Sequence, residues 1–111
     1  MSMVRMITGG VDTHADQHVA AAIDANGGVL GTESFPADVA GYEALLGWLV
    51  SHGEVERGGV EGTGSWGVGL ARFLHAHEGV VVVEVDRPNR QHRRKVGKAD
   101  ATDAVSAARA A

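Results

Sequence analysis

Four carboxylates in this 111-residue chain, Asp12, Glu61, Asp100 and Asp103, stand where structural elements should begin or end. Asp12 and Glu61 each close an apolar, glycine-rich run, while Asp100 and Asp103 lie three apart at the entrance to an alanine-rich stretch. That spacing at a helix start puts both on one face. Carboxylates gathered closely resist joint ionisation, because like charges raise one another's pKa, and a divalent cation removes the conflict. Two hard cations about 4 Å apart on such oxygens can activate an attacking oxygen and stabilise the leaving oxygen of an in-line phosphoryl displacement. Mg2+ or Mn2+ is therefore the expected cofactor. The absence of cysteine excludes thiolate nucleophiles, disulfides and Cys-ligated zinc.

Each acid also has a plain structural reading. Asp12 can begin a turn, and Asp100 to Asp103 can form a capping arrangement at the positive end of a helix. Glu61 is harder to explain away, since a charge ending an apolar strand needs a partner or a purpose. His14 and His18, four apart, read as polar turn residues rather than as a helical zinc pair. Trp48 and Trp66 fall at apolar helix positions and read as core.

The elements that must position these residues follow from the pattern. Met6 to Thr13 and His18 to Asp24 read as strands joined by the polar turn Thr13 to Gln17. Asn26-Gly27, both tolerant of positive φ, predicts a hairpin into a third strand from Val29 to Phe35. Asp38 caps a helix whose apolar positions recur from Val39 to Val50 and which ends by Gly53. A short strand, Arg57 to Glu61, leads through Gly62-Thr-Gly-Ser to a second amphipathic helix marked by Trp66, Leu70, Phe73 and Leu74 and closed by Gly79. Val80 to Val85 predicts a parallel strand covered on both faces, and a last helix is expected from about Thr102. The order β-β-β-α-β-α-β-α is a meander followed by parallel βα units, with helices on both faces of one mixed sheet. That α/β order is the ribonuclease-H-like architecture, and the length suits one domain over residues 1–111.

The net charge of -4 hides a strong asymmetry. Residues 1–86 hold Arg5, Arg57 and Arg72 against twelve acids, whereas Arg87, Arg90, Arg93, Arg94, Lys95 and Lys98 follow with no acid among them. Such a basic segment beside two aspartates is expected to contact the phosphates of DNA or RNA, giving affinity without base readout. The plain alternative is a solvated basic loop. No membrane span or signal peptide is legible, so a cytoplasmic protein is expected. The abundance of glycine and alanine carries no functional weight in this reading.

Val60-Glu-Gly-Thr-Gly-Ser-Trp-Gly67, Val83-Glu-Val-Asp-Arg-Pro-Asn-Arg90 and Gly97-Lys-Ala-Asp-Ala-Thr-Asp-Ala104 occur in that order, after Gly10-Val-Asp-Thr-His14. This set resembles the DEDD transposases of the insertion-sequence-110 type, whose amino-terminal domain is similar to the Holliday-junction resolvase RuvC. The resemblance covers essentially the whole chain; Trp66 stands where tyrosine is commonest. It implies that Asp12, Glu61, Asp100 and Asp103 bind the catalytic metals, with DNA as substrate, a structured bridge RNA as guide and homo-oligomeric assembly in bacterial cytoplasm. It further implies a carboxy-terminal domain bearing a nucleophilic serine. The chain is expected to end before that domain and inside its own last helix, so recombination by this chain alone is not expected, and neither Ser65 nor Ser106 takes the nucleophile's place.

Two other readings compete. Gly62-Thr-Gly-Ser-Trp-Gly67 is a literal G-x-G-x-x-G between strand and helix, with Glu84 or Asp86 ending the next strand, as in a dinucleotide (NAD-type) binding domain using Gly62, Gly64 and Gly67. It leaves the basic segment and the last two aspartates unexplained and sets Glu61 against a pyrophosphate. A phosphate-binding hairpin of the sugar-kinase type would need a second nucleotide-binding half.

Overall fold

The computed structural model describes residues 5–62, 66–77, 79–85 and 99–111, and of residues 99–101 the backbone alone. Strands β1 (Met6–Thr13), β2 (Gln17–Ile23) and β3 (Val29–Pro36) are followed by helix α1 (Val39–His52), β4 (Glu54–Glu61), α2 (Val68–His75), β5 (Val81–Val85) and α3 (Ala99–Ala110). One five-stranded sheet has the order β3-β2-β1-β4-β5. The pairs β1/β2 and β2/β3 are antiparallel, and β1/β4 and β4/β5 are parallel. This is the mixed α/β sheet read from the sequence.

Turn chemistry explains the meander. His14 N–H donates to Gln17 O across the first turn. At the second, Gly27 N–H donates to Asp24 O, and the Asp24 carboxylate accepts from the amides of Asn26 and Gly28. The predicted hairpin into β3 forms, as an Asp-braced loop in which Gly27 alone has positive φ. Asp38 caps α1 as expected, accepting from Gly41 N–H at 2.7 Å.

Period-two alternation sorts the strands between two layers, with one bulge in β4, between Val55 and Arg57, that keeps both Val55 and Val60 on the same face. Ile7, Val11, Ala20, Ala22, Phe35, Val55 and Val60 face α1 and α2 and pack on Leu45, Leu49, Leu70 and Leu74. The opposite face carries Val19 and Ala21 under Ala104 of α3, a helix that lies over β1, β2 and β4.

Five boundaries or environments differ from expectation. Strand β4 begins at Glu54, because Glu54 N–H bonds to Arg5 O and extends the ladder. Helix α2 starts two residues after Trp66 and stops at His75, short of Gly79, which adopts φ +87°. Trp66 is 53% exposed in the turn before α2 and not core. Among the described residues, strand β5 is not covered on both faces: it comes last in the sheet order, and Val81 is 56% exposed. Helix α3 already includes Ala99 and Asp100, so Asp100 is its second described residue and not a cap preceding it.

Candidate functional site

Two Gly-Gly-Val-acid segments build the site: Gly9-Gly10-Val11-Asp12 lies one residue before the end of β1, and Gly58-Gly59-Val60-Glu61 ends β4. The strands pair in parallel with Gly9 beside Gly58, Gly10 beside Gly59 and Val11 beside Val60. Asp12 and Glu61 therefore occupy the next rung, with backbones about 5 Å apart at the usual strand spacing. By alternation both share the face of Gly10 and Gly59, while Val11 and Val60 turn into the core under α1 and α2.

That shared face is where α3 crosses. A Cβ at Gly10 would stand 2.2 Å from Ala104 O and Ala108 N, and one at Gly59 would stand 2.3 Å from Ala107 O. Two adjacent glycines thus give the helix a flat floor that any side chain would destroy. The direction of α3 is fixed at its far end, where Arg57 Nη1 donates to Ala111 O and Arg109 Nη2 donates to Gly27 O. Its amino-terminal turn consequently arrives at the ends of β1 and β4, a favourable pole for nearby carboxylates. Asp103, one residue before Ala104, is 2% exposed; Asp12 is 0% and Glu61 3% exposed. Two buried carboxylates thus stand on neighbouring strand ends, and a third, Asp103, is buried on the helix that crosses the same sheet face.

The surrounding contacts fix the two strand ends. Thr13 Oγ1, on the opposite face, donates to Glu61 O at 2.7 Å and ties β1 to β4 beside the acids. His14 Nε2 lies 2.9 Å from Asp12 Oδ2, with the His14 side chain 37% exposed and that of Asp12 fully buried. Gly62 adopts φ +74°, and Gly67 N–H bonds back to Gly62 O, closing the turn after Glu61. A Cβ at Gly67 would meet Glu61 O at 2.8 Å, so these glycines serve a tight turn.

His18 is not a turn residue. It lies within β2, fully buried, on the face away from the acids, stacked on Tyr42 with ring centroids 5.8 Å apart. Neither ring nitrogen has a hydrogen-bond partner among the described residues, and burial pushes its pKa below the ordinary 6.5.

Among the described residues, no three His, Cys, Asp or Glu side chains are close enough together to hold a metal ion. The Asp100 side chain lies outside the described residues, as do Arg87, Arg90, Arg93, Arg94, Lys95 and Lys98 and the Thr63 to Ser65 segment. An open cavity of about 540 Å³ lined by Leu46, Val50, Glu54 and Val80 sits at the start of β4 and holds none of the expected site residues.

A sequence model described as a transposase, that of the DEDD family of the insertion-sequence-110 type, matches residues 9–111. The chain belongs to that family. No curated protein matches the sequence. A transposase is an enzyme of DNA strand transfer, so DNA is the substrate of this chain's family. Among the described residues, no helix of this transposase domain is long and apolar enough to cross a membrane. Nothing in the described fold favours the dinucleotide reading, since the Gly67 amide closes its own turn.

The residue types of the transposase point to the acids but not to the residues packed around Asp12 and Glu61. Gly10 and Gly59 lie under α3, Thr13 bonds to Glu61 O and His14 to Asp12, and the doubled Gly-Gly-Val-acid tetrapeptide is the sequence signal for the first two.

Proposed function

We propose that this domain performs divalent-metal-dependent DNA strand cleavage and transfer, with Asp12, Glu61, Asp100 and Asp103 holding Mg2+ or Mn2+. The observation that supports the reading is that Asp12 and Glu61 are buried at the ends of the paired strands β1 and β4, with Asp103 buried on the helix packed over them. A hard cation suits an all-oxygen donor set of this kind. When bound, the metal ions supply activation of the attacking oxygen and charge neutralisation at the leaving oxygen. The chain's own part is to fix the acids: β1 and β4 hold Asp12 and Glu61 in register, the glycine floor lets α3 bring Asp103 down, and Thr13 locks the strand ends. The segment carrying Arg87, Arg90, Arg93, Arg94, Lys95 and Lys98 supplies phosphate contacts to DNA or to a guide RNA.

Thermal unfolding under MgCl2 or MnCl2 titration tests the reading, because a ligand of the native state raises apparent stability. Stabilisation of the wild type that disappears in Asp12→Ala and Glu61→Ala is expected. A wild type indifferent to both metals, or variants that respond like it, would overturn the assignment.

A further inference from the structure

We infer that His14 is a positioning residue for the metal-binding carboxylate of Asp12. The inference rests on the metal-site reading above and adds a residue to it. His14 stands two positions after Asp12, just past the end of β1, and its ring turns back onto the acid. Its Nε2 donates to Asp12 Oδ2 at 2.9 Å, a carboxylate oxygen being an acceptor only. Asp12 is fully buried and His14 about one-third exposed, so the imidazole stands at the solvent border of the acid.

The backbone of His14 is itself anchored. Its N–H donates to Gln17 O in the β1–β2 turn, and its neighbour Thr13 bonds through Oγ1 to Glu61 O. Three successive residues, Asp12, Thr13 and His14, therefore form one unit: the acid, the clamp to the second acid's strand, and the donor that fixes the first acid's rotamer. A carboxylate held by a charge-assisted hydrogen bond on one oxygen presents a defined orientation to a cation instead of sampling several. Groups that orient a metal ligand in this way typically change metal affinity about 10- to 100-fold when removed.

The experiment compares wild type, His14→Ala, His14→Gln and Asp12→Ala by thermal unfolding, first without metal and then across an MgCl2 titration in the absence of DNA. Gln retains a donor near the place of Nε2. The expected result is a midpoint for Mg2+ stabilisation raised about tenfold or more in His14→Ala and restored to within about threefold of wild type in His14→Gln. A merely structural role would lower the metal-free melting temperature and leave the midpoint unmoved, and that result overturns the inference. Equal loss in both His14 variants also overturns it, pointing to direct ligation by the imidazole. If His14→Ala does not fold, His14→Phe replaces it, filling the volume without a donor, with the same expected and contrary outcomes. Failure of the metal-site reading looks different: the wild type itself shows no Mg2+ midpoint.

Discussion

Replacing Gly10 by alanine adds one methyl group at the crossing of α3 over β1, and the structure dictates its cost. The new Cβ would stand 2.2 Å from Ala104 O and Ala108 N and 2.7 Å from Ala108 Cα. All three are helix backbone atoms, so no side-chain rotation relieves the overlap. Restoring ordinary contact requires α3 to lift by roughly 1 Å or more. Overpacking of this kind costs about 1–3 kcal/mol, and near 100 residues each kcal/mol lowers the melting temperature by about 4 °C. A loss of roughly 4–12 °C is expected. Because Asp103 travels with the helix, the metal response should fall further than stability alone explains, since misplacement by about 1 Å can cost a functional site about 100-fold. Gly47→Ala provides the control: it lies mid-α1 with nothing within 4 Å of its Cβ position, so helix propensity alone acts and stability rises by up to about 1 kcal/mol. Calorimetry of the two variants with and without MgCl2 decides. A Gly10→Ala protein that melts within about 2 °C of wild type and keeps its Mg2+ response would refute the glycine-floor argument.

Thr13→Val preserves shape but removes the hydroxyl bonded to Glu61 O, and urea unfolding should show a loss of about 1–2 kcal/mol. Asp38→Ala removes the α1 cap and should cost about 1 kcal/mol in the same assay, with no change in metal response. His18 gives a pH dependence: its folded pKa lies below 6.5 because burial disfavours the charged ring, so below that pH the unfolded chain binds the extra proton. Stability should be intact above pH 6.5 and fall as pH drops through it toward the lower folded value, by up to about 1.4 kcal/mol per pH unit. His18→Phe should flatten that slope in urea titrations at pH 7.5 and 5.5; an unchanged slope would assign the dependence elsewhere.

The architecture was legible because its signals are local and redundant. Asp38 announces a cap, Gln17 to Ile23 alternates, and Asp12 and Glu61 each end an apolar run. What escaped the sequence depends on pairing between distant segments. That Gly10 and Gly59 lie side by side follows only once β1 and β4 are known to pair in parallel at that register. His18 looked like a turn residue because polarity was read as exposure, whereas the strand runs through it and Tyr42 covers it. Trp66 looked like core because helical spacing was extended two residues too far, into a turn that leaves the indole outside. The run from Val80 to Val85 is as apolar as a central strand, yet among the described strands it comes last in the sheet, and no local pattern distinguishes the two.

The central claim is that acids from β1, β4 and α3 hold one set of divalent cations. Electron paramagnetic resonance of added Mn2+ counts bound ions directly, because the signal of the free aqueous ion is lost on binding. The wild type should take up Mn2+, and each of Asp12→Ala, Glu61→Ala and Asp103→Ala should release it while remaining folded by circular dichroism. Mn2+ uptake that is absent in the wild type, or equal in all four proteins, would contradict the claim.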